Sequence, residues 1–241
     1  MNKIKFISNS PWSHKKSISA PKPSSKEIPD WYLSADRYAK KDNDEYYVDP
    51  QNGGKVPTWK ACPAIYDILG TGYLLKTPCD INFFEKNNKI HAEVKEDKYN
   101  FFIQKRDAME NFQSPIGYHE EHFAWWPDWA PSLPDGYSAL YTQPFNRFDL
   151  PFLNTSGVVD NDVINIPGTI PFFVVKGWTG VLEAGTPYVQ IFPFKREDWE
   201  HTHKEMTYNS IYKRNMENSE KFRVKDGGAY LNKVWHRRKY I

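Results

Sequence analysis

From Tyr73 to Phe194 short runs of aliphatic, aromatic and β-branched residues are set between clusters of Gly, Pro, Asn and Asp. Runs this short, punctuated this way, predict strands joined by turns. The clearest is Ile90, Ala92 and Val94 alternating with His91 and Glu93, the period-two mark of a half-buried strand. With Cys79 to Phe84 before it and Lys86-Asn-Asn-Lys89 between, it predicts a hairpin. Tyr73 to Pro78 reads as another strand, and so does Tyr137 to Tyr141 after the turn Pro134-Asp-Gly136. Asn100 to Ile103 fits either a strand or an irregular approach to Tyr118. The densest β patterning lies between Pro134 and Phe194.

Helical patterns are few. Pro63 suits the first turn of a short helix over Ala64 to Leu69, with Gly70 or Gly72 to close it. The polar run Phe194 to Lys204 predicts a helix with Glu197 or Asp198 in its first turn, continuing through Met206 and Tyr212 towards Met216. Pro127 and Pro131 among Trp125, Trp126 and Trp129 predict an extended aromatic loop, since proline is excluded from helix interiors and central strands. Residues 1–30 carry Pro11, Pro21, Pro23 and Pro29 with few core-forming side chains, which predicts a flexible or arm-like leader. The expected organisation is that leader, a β domain over 31–194, and a helical and extended tail over 195–241. The fold class is mainly β, a distorted barrel or sandwich with a few short helices and extended termini.

Composition narrows the function classes. A chain of 241 residues can bury a sizeable core. Its net charge of +2 is too small for a nucleic-acid footprint over the whole surface, so nucleic acid is not an expected partner. No run approaches the roughly 18 apolar residues of a membrane helix, and no signal-peptide pattern opens the chain. An intracellular protein is therefore expected, with Cys62 and Cys79 as buried reduced thiols. Aromatic residues at 16%, with nine Trp, fit either a ligand pocket or a subunit contact.

Two phrases carry a resemblance. At Ser156-Gly-Val-Val-Asp160 and Glu183-Ala-Gly-Thr-Pro-Tyr-Val-Gln-Ile191 the chain resembles the trimeric dUTPase and dCTP deaminase superfamily. That resemblance implies a dUTPase-like β-arch and a homotrimer. It makes Asp160 the position that would orient the attacking water, with Gly157, Asp160, Arg147 and Gln190 as ligand-binding positions and Mg²⁺ as cofactor if the chain hydrolyses nucleotides; otherwise no cofactor is expected. The departures count against catalysis: Asn146-Arg-Phe-Asp149 stands where an Arg-Ser-Ser phosphate phrase is needed, Asn161-Asp-Val163 follows the aspartate, and Pro171-Phe-Phe-Val-Val175 offers no deaminase glutamate. From Trp59 to Arg196 the chain also resembles a family of unknown function carried by large tailed phages, marine and cyanobacterial ones especially, through Lys60-Ala-Cys-Pro-Ala64, Gly72-Tyr-Leu-Leu75, Pro134-Asp-Gly-Tyr-Ser138 and Pro193-Phe-Lys-Arg196. That implies a bacteriophage protein working in the host cytoplasm, or in the virion.

Other constellations have simpler readings. His119-Glu-Glu-His122, with His201 and His203, offers metal ligands but lacks the order of a metalloprotease, and reads better as solvent-facing or edge histidines. Asp149, Asp160 and Asp162 suit either a Mg²⁺ site or ordinary turns. Arg237-Arg-Lys239 beside Trp235 and Tyr240 suits a single-strand nucleic-acid surface or a tail docked on a neighbouring subunit. Three functions stay open: a non-catalytic binding module for a nucleotide or a host protein, a divergent deoxynucleotide pyrophosphohydrolase or deaminase, and a virion structural component.

Overall fold

The structure, a computed structural model, describes residues 2–50, 53–106, 113–222, 235–236 and 239–241. Contacts divide the chain into two units: one takes the residues up to Glu27, Thr71–Arg196 and Tyr240, the other Ile28–Gly70, Glu197–Lys239 and Ile241. These boundaries differ from those read in the sequence, because the N-terminal segment joins the β unit while 28–70 goes with the C-terminal segment.

The protein is mainly β, and its strands lie in the first unit. In chain order they are β1 (Lys5–Ser8), β2 (Lys22–Pro23), β3 (Tyr73–Lys76), β4 (Ile81–Lys86), β5 (Lys89–Val94), β6 (Ile103–Lys105), β7 (Tyr118–Trp125), β8 (Trp129–Ser132), β9 (Tyr137–Thr142), β10 (Phe152–Asn154), β11 (Gly157–Val159), β12 (Ile170–Val175), β13 (Gly180–Leu182) and β14 (Pro187–Lys195). They form antiparallel sheets ordered β10-β12-β7-β6, β11-β9-β14-β3-β2, β13-β4-β5 and β1-β8.

The core follows from register. Pairing of β12 with β7 sets Phe172 opposite Phe123 and Ile170 opposite Trp125, so one sheet face presents all four side chains. Trp125 stacks on Phe172 with ring centroids 3.9 Å apart. Tyr188 of β14 meets the Trp125 ring at 5.0 Å, bringing the second large sheet against the first. Asn154 fastens the two: its Oδ1 accepts from Trp125 Nε1 at 2.9 Å, and its Nδ2 donates to the Tyr188 carbonyl at 2.5 Å. The expected hairpin forms from β4 and β5, with Asn87 and Asn88 at φ of 53° and 58°, the left-handed pair a two-residue turn requires. Gly72 sits at φ +71°, where a Cβ would lie 2.1 Å from the Ile191 carbonyl oxygen.

The N-terminal segment is a strap on its own β unit. β1 pairs with β8, with Phe6 opposite Pro131; among the described residues β8 has β1 as its one partner strand, so the proline costs no ladder bond on a second side. The aromatic run is thus not the loop expected: β7 is central through Trp125, and β8 resumes at Trp129. Ser13 and Ser19 donate to Asp128 Oδ2 at 2.7 and 2.6 Å. Burial pushes the Asp128 carboxyl up, opposed by those two hydroxyls. At the end of the strap Glu27 accepts from both Lys22 and Lys76. Burial lowers Lys76, while Lys22, on the surface, is raised by its bond to Glu27.

The second unit holds α1 (Asp30–Ser34), α2 (Pro63–Gly70) and α3 (Tyr208–Phe222). α2 starts at Pro63 as expected. The helix expected from Phe194 begins only at Tyr208: Phe194 and Lys195 stay in the ladder opposite Ser138 and Tyr137, and Thr207 starts α3 by accepting the Ile211 N–H. Trp235 donates to Asp67 Oδ2 at 2.7 Å and packs edge-on to Tyr66, so this ring docks within its own chain. Arg237 and Arg238 lie outside the described residues. Cys79 is buried, its thiol pushed up to about 12 by desolvation, whereas Cys62 is exposed, contrary to the expectation of two buried thiols. No helix among the described residues is long and apolar enough to cross a membrane.

Candidate functional site

The site suggested by the sequence centres on the turn after β11. β11 pairs with β9, Gly157 opposite Tyr141 and Val159 opposite Ala139, which delivers Asp160 beside the start of β9. Asn161, fully buried, anchors the turn: its Oδ1 accepts from Tyr141 Oη at 3.0 Å, its Nδ2 donates to the Ile164 carbonyl at 2.9 Å, and its carbonyl accepts the Leu133 N–H. A buried amide satisfied on each side holds its backbone in place.

The two flanking aspartates are held by one arginine. Asp160 Oδ1 accepts from Ser138 Oγ at 2.6 Å and lies 3.2 Å from Arg196 Nη1. Asp162 accepts the Gly136 N–H at 2.8 Å and both terminal nitrogens of Arg196, Nη1 to Oδ1 at 2.9 Å and Nη2 to Oδ2. Arg196 Nη1 also donates to Ser138 Oγ and the Tyr137 carbonyl, and the Arg196 N–H donates to the Gly136 carbonyl. Planar fork-to-carboxylate bonding is the strong, geometrically specific form of the ion pair. The Arg196 guanidinium holds the Asp162 carboxyl down to about 2. The Asp162 side chain is 4% exposed and that of Asp160 55%, so the second carboxylate still faces solvent on one side. This cluster ties the end of β14 to the start of β9 and to the β11 turn.

The other expected residues are not gathered around Asp160. Arg147 makes a forked pair with Asp149, Nε to Oδ1 at 2.8 Å and Nη2 to Oδ2 at 2.7 Å, which lowers the Asp149 carboxyl. Gln190 is buried between strands, accepting the Phe145 N–H at 2.9 Å and donating to the Thr71 carbonyl at 2.5 Å. Gly157 and Gln190 flank β9 at neighbouring registers, opposite Tyr141 and Thr142, whereas Asp160 meets the other end of that strand at Ser138. Arg196 and Ser138 were not singled out as site residues in the sequence. Their partners lie more than twenty residues away along the chain, and only the phrases Pro193-Phe-Lys-Arg196 and Pro134-Asp-Gly-Tyr-Ser138 marked them.

The histidines differ from the solvent-facing expectation. His119 and His122 are buried in β7, His119 Nε2 lying 3.4 Å from Glu85 Oε1 and His122 packing on Phe173. Among the described residues no group of three or more His, Cys, Asp or Glu is placed to hold a metal ion.

No family model matches the chain, and neither a curated protein nor a solved structure does.

Proposed function

We propose that the chain is a non-catalytic binding module built on a β fold, and that it works through protein contacts on the surface carried by the β11 turn. The observation that carries this reading is the Arg196 cluster. Ser138 and Arg196 use Asp160 Oδ1 as a structural acceptor, leaving one oxygen of that carboxylate towards solvent, while Asp162 is nearly buried and held ionised by the same guanidinium, so the arginine-bound pair is arranged to pin the turn. The cluster pins a turn beside which Val158, Val163, Ile164 and Ile166 stand exposed at 58%, 74%, 47% and 60%. An apolar stretch held rigidly in water suits a contact face. Homo-oligomerisation, as a trimer, is the arrangement we expect, with a host protein or a nucleotide as the further partner. A phage origin, with action in the host cytoplasm, rests on the sequence resemblance.

Two assays test the reading. Incubation with dUTP or dCTP and Mg²⁺ should release neither pyrophosphate nor ammonia. Sedimentation of the wild type beside Val158→Asp/Ile166→Asp should show an assembly that the double variant loses. Turnover abolished by Asp160→Asn would replace this proposal with the divergent hydrolase or deaminase.

A further inference from the structure

A second surface, sharing no residue with the Arg196 cluster, is built for a ligand of another kind. Phe102 and Trp125 point into the core, fully buried with their rings 5.6 Å apart. Their neighbours face outward: Phe101, in the turn before β6, is 41% exposed, and Trp126, just past the end of β7, is 40% exposed. The backbone holds the two outward rings in place: the Trp126 N–H donates to the Phe102 carbonyl at 2.8 Å, and β6 pairs with β7 through Ile103 opposite Trp125 and Gln104 opposite Ala124. Between them lies an open recess of about 310 Å³ lined by Asn100, Phe101, Ile103, Gln104 and Trp126.

The lining has a definite chemistry. Trp126 Nε1 donates to Gln104 Oε1 at 3.2 Å, which orients the indole and leaves the Gln104 amide nitrogen as a donor. Asn100 adds an exposed amide with both a donor and an acceptor. Among the described residues no charged side chain lines the recess; Lys98 pairs with Glu96 at 2.7 Å, and Lys105 donates to the Ile90 carbonyl at 3.1 Å. Aromatic faces, negative at their centres, attract the C–H edge of a saturated ring, and amides match hydroxyls that both donate and accept. A single-strand nucleic-acid surface would add a cationic groove, which these residues do not supply. The volume lies at the small end of ligand sites, room for one ring.

We infer that this recess binds a neutral sugar ring, the C–H face on Trp126 and Phe101 and the hydroxyls on Asn100 and Gln104. The test is saturation-transfer NMR of the full-length protein with the methyl glycosides of glucose, galactose, fucose and N-acetylglucosamine, and with thymidine as the nucleoside arm. At least one glycoside should give a signal with a Kd of about 1–10 mM. Trp126→Ala should weaken it by about tenfold, equivalent to about 1.4 kcal/mol, Asn100→Ala and Gln104→Ala should each weaken it, and Trp199→Ala, at a ring 86% exposed in the second unit, should leave it unchanged. Should Trp126→Ala fail to fold, the two amide variants decide. Silence from every glycoside, a signal unchanged in the recess variants, or a signal from thymidine alone would overturn the inference.

Discussion

Asn154 is the most informative single position in the β unit, because one side chain satisfies buried groups from both large sheets. Replacing it by Ala removes the acceptor of Trp125 Nε1 and the donor to the Tyr188 carbonyl, in a place where Trp125 and Tyr188 are both fully buried. Leaving a buried polar group without its partner costs about 1–3 kcal/mol, so orphaning two predicts a loss of about 2–6 kcal/mol. With a urea m-value of about 2 kcal/mol/M, a loss at the middle of that range lowers the midpoint by roughly 2 M at unchanged m. The assay is urea unfolding followed by near-ultraviolet circular dichroism, which reports the packed rings. Trp125→Phe removes the donor instead, and the double variant should be less damaging than the sum of the singles, with a coupling of about 1–2 kcal/mol. A loss under about 0.5 kcal/mol for Asn154→Ala, or strict additivity, would refute the claim that this amide fastens the sheets.

Asp128 should respond to pH in the opposite sense from Asp162. Its carboxyl is raised above 3.8, so its contribution favours the folded state below that pH and is lost as pH rises through the folded value; Asp128→Asn, which cannot ionise, should melt higher than the wild type at neutral pH and lose that advantage in acid. Asp162 is lowered from 3.8 to about 2, so its contribution is present above pH 3.8 and lost as pH falls towards 2; Arg196→Met should move the acid-unfolding midpoint to higher pH. Gly72→Ala, with its Cβ driven onto the Ile191 carbonyl, should cost about 2 kcal/mol or more in urea unfolding. Gly157→Ala, with open space around it, should cost under about 0.5 kcal/mol.

The fold was legible where the signal was local. Pro63 and the apolar run after it placed α2, and Asn87-Asn88 between two alternating runs placed the β4–β5 hairpin, because turn chemistry and period act within a few residues. It was illegible where distant partners decide. Pro131 argues against a strand until β1 arrives to pair on one side alone. The N-terminal segment is too polar to bury itself, yet Ser13 and Ser19 are buried against Asp128, more than a hundred residues away. His119 and His122 read as surface groups because their burial is set by the strands around β7. At the candidate site the sequence offered Asp160 but not its partners: Arg147, the nearer arginine, is taken by Asp149, and Arg196 reaches the turn only because β14 runs beside β9.

We propose that Asp160 and Arg196 hold the structure together instead of performing chemistry. The most direct test is the thermal midpoint of the wild type, Asp160→Asn and Arg196→Met, each with and without deoxynucleotides and Mg²⁺. Catalytic groups commonly cost stability, so their removal stabilises, whereas breaking a structural ion pair destabilises. Both variants should melt below the wild type without any nucleotide, and no nucleotide should raise the wild-type midpoint. An Asp160→Asn variant at least as stable as the wild type, together with a wild-type midpoint raised by one nucleotide in the presence of Mg²⁺, would contradict this proposal.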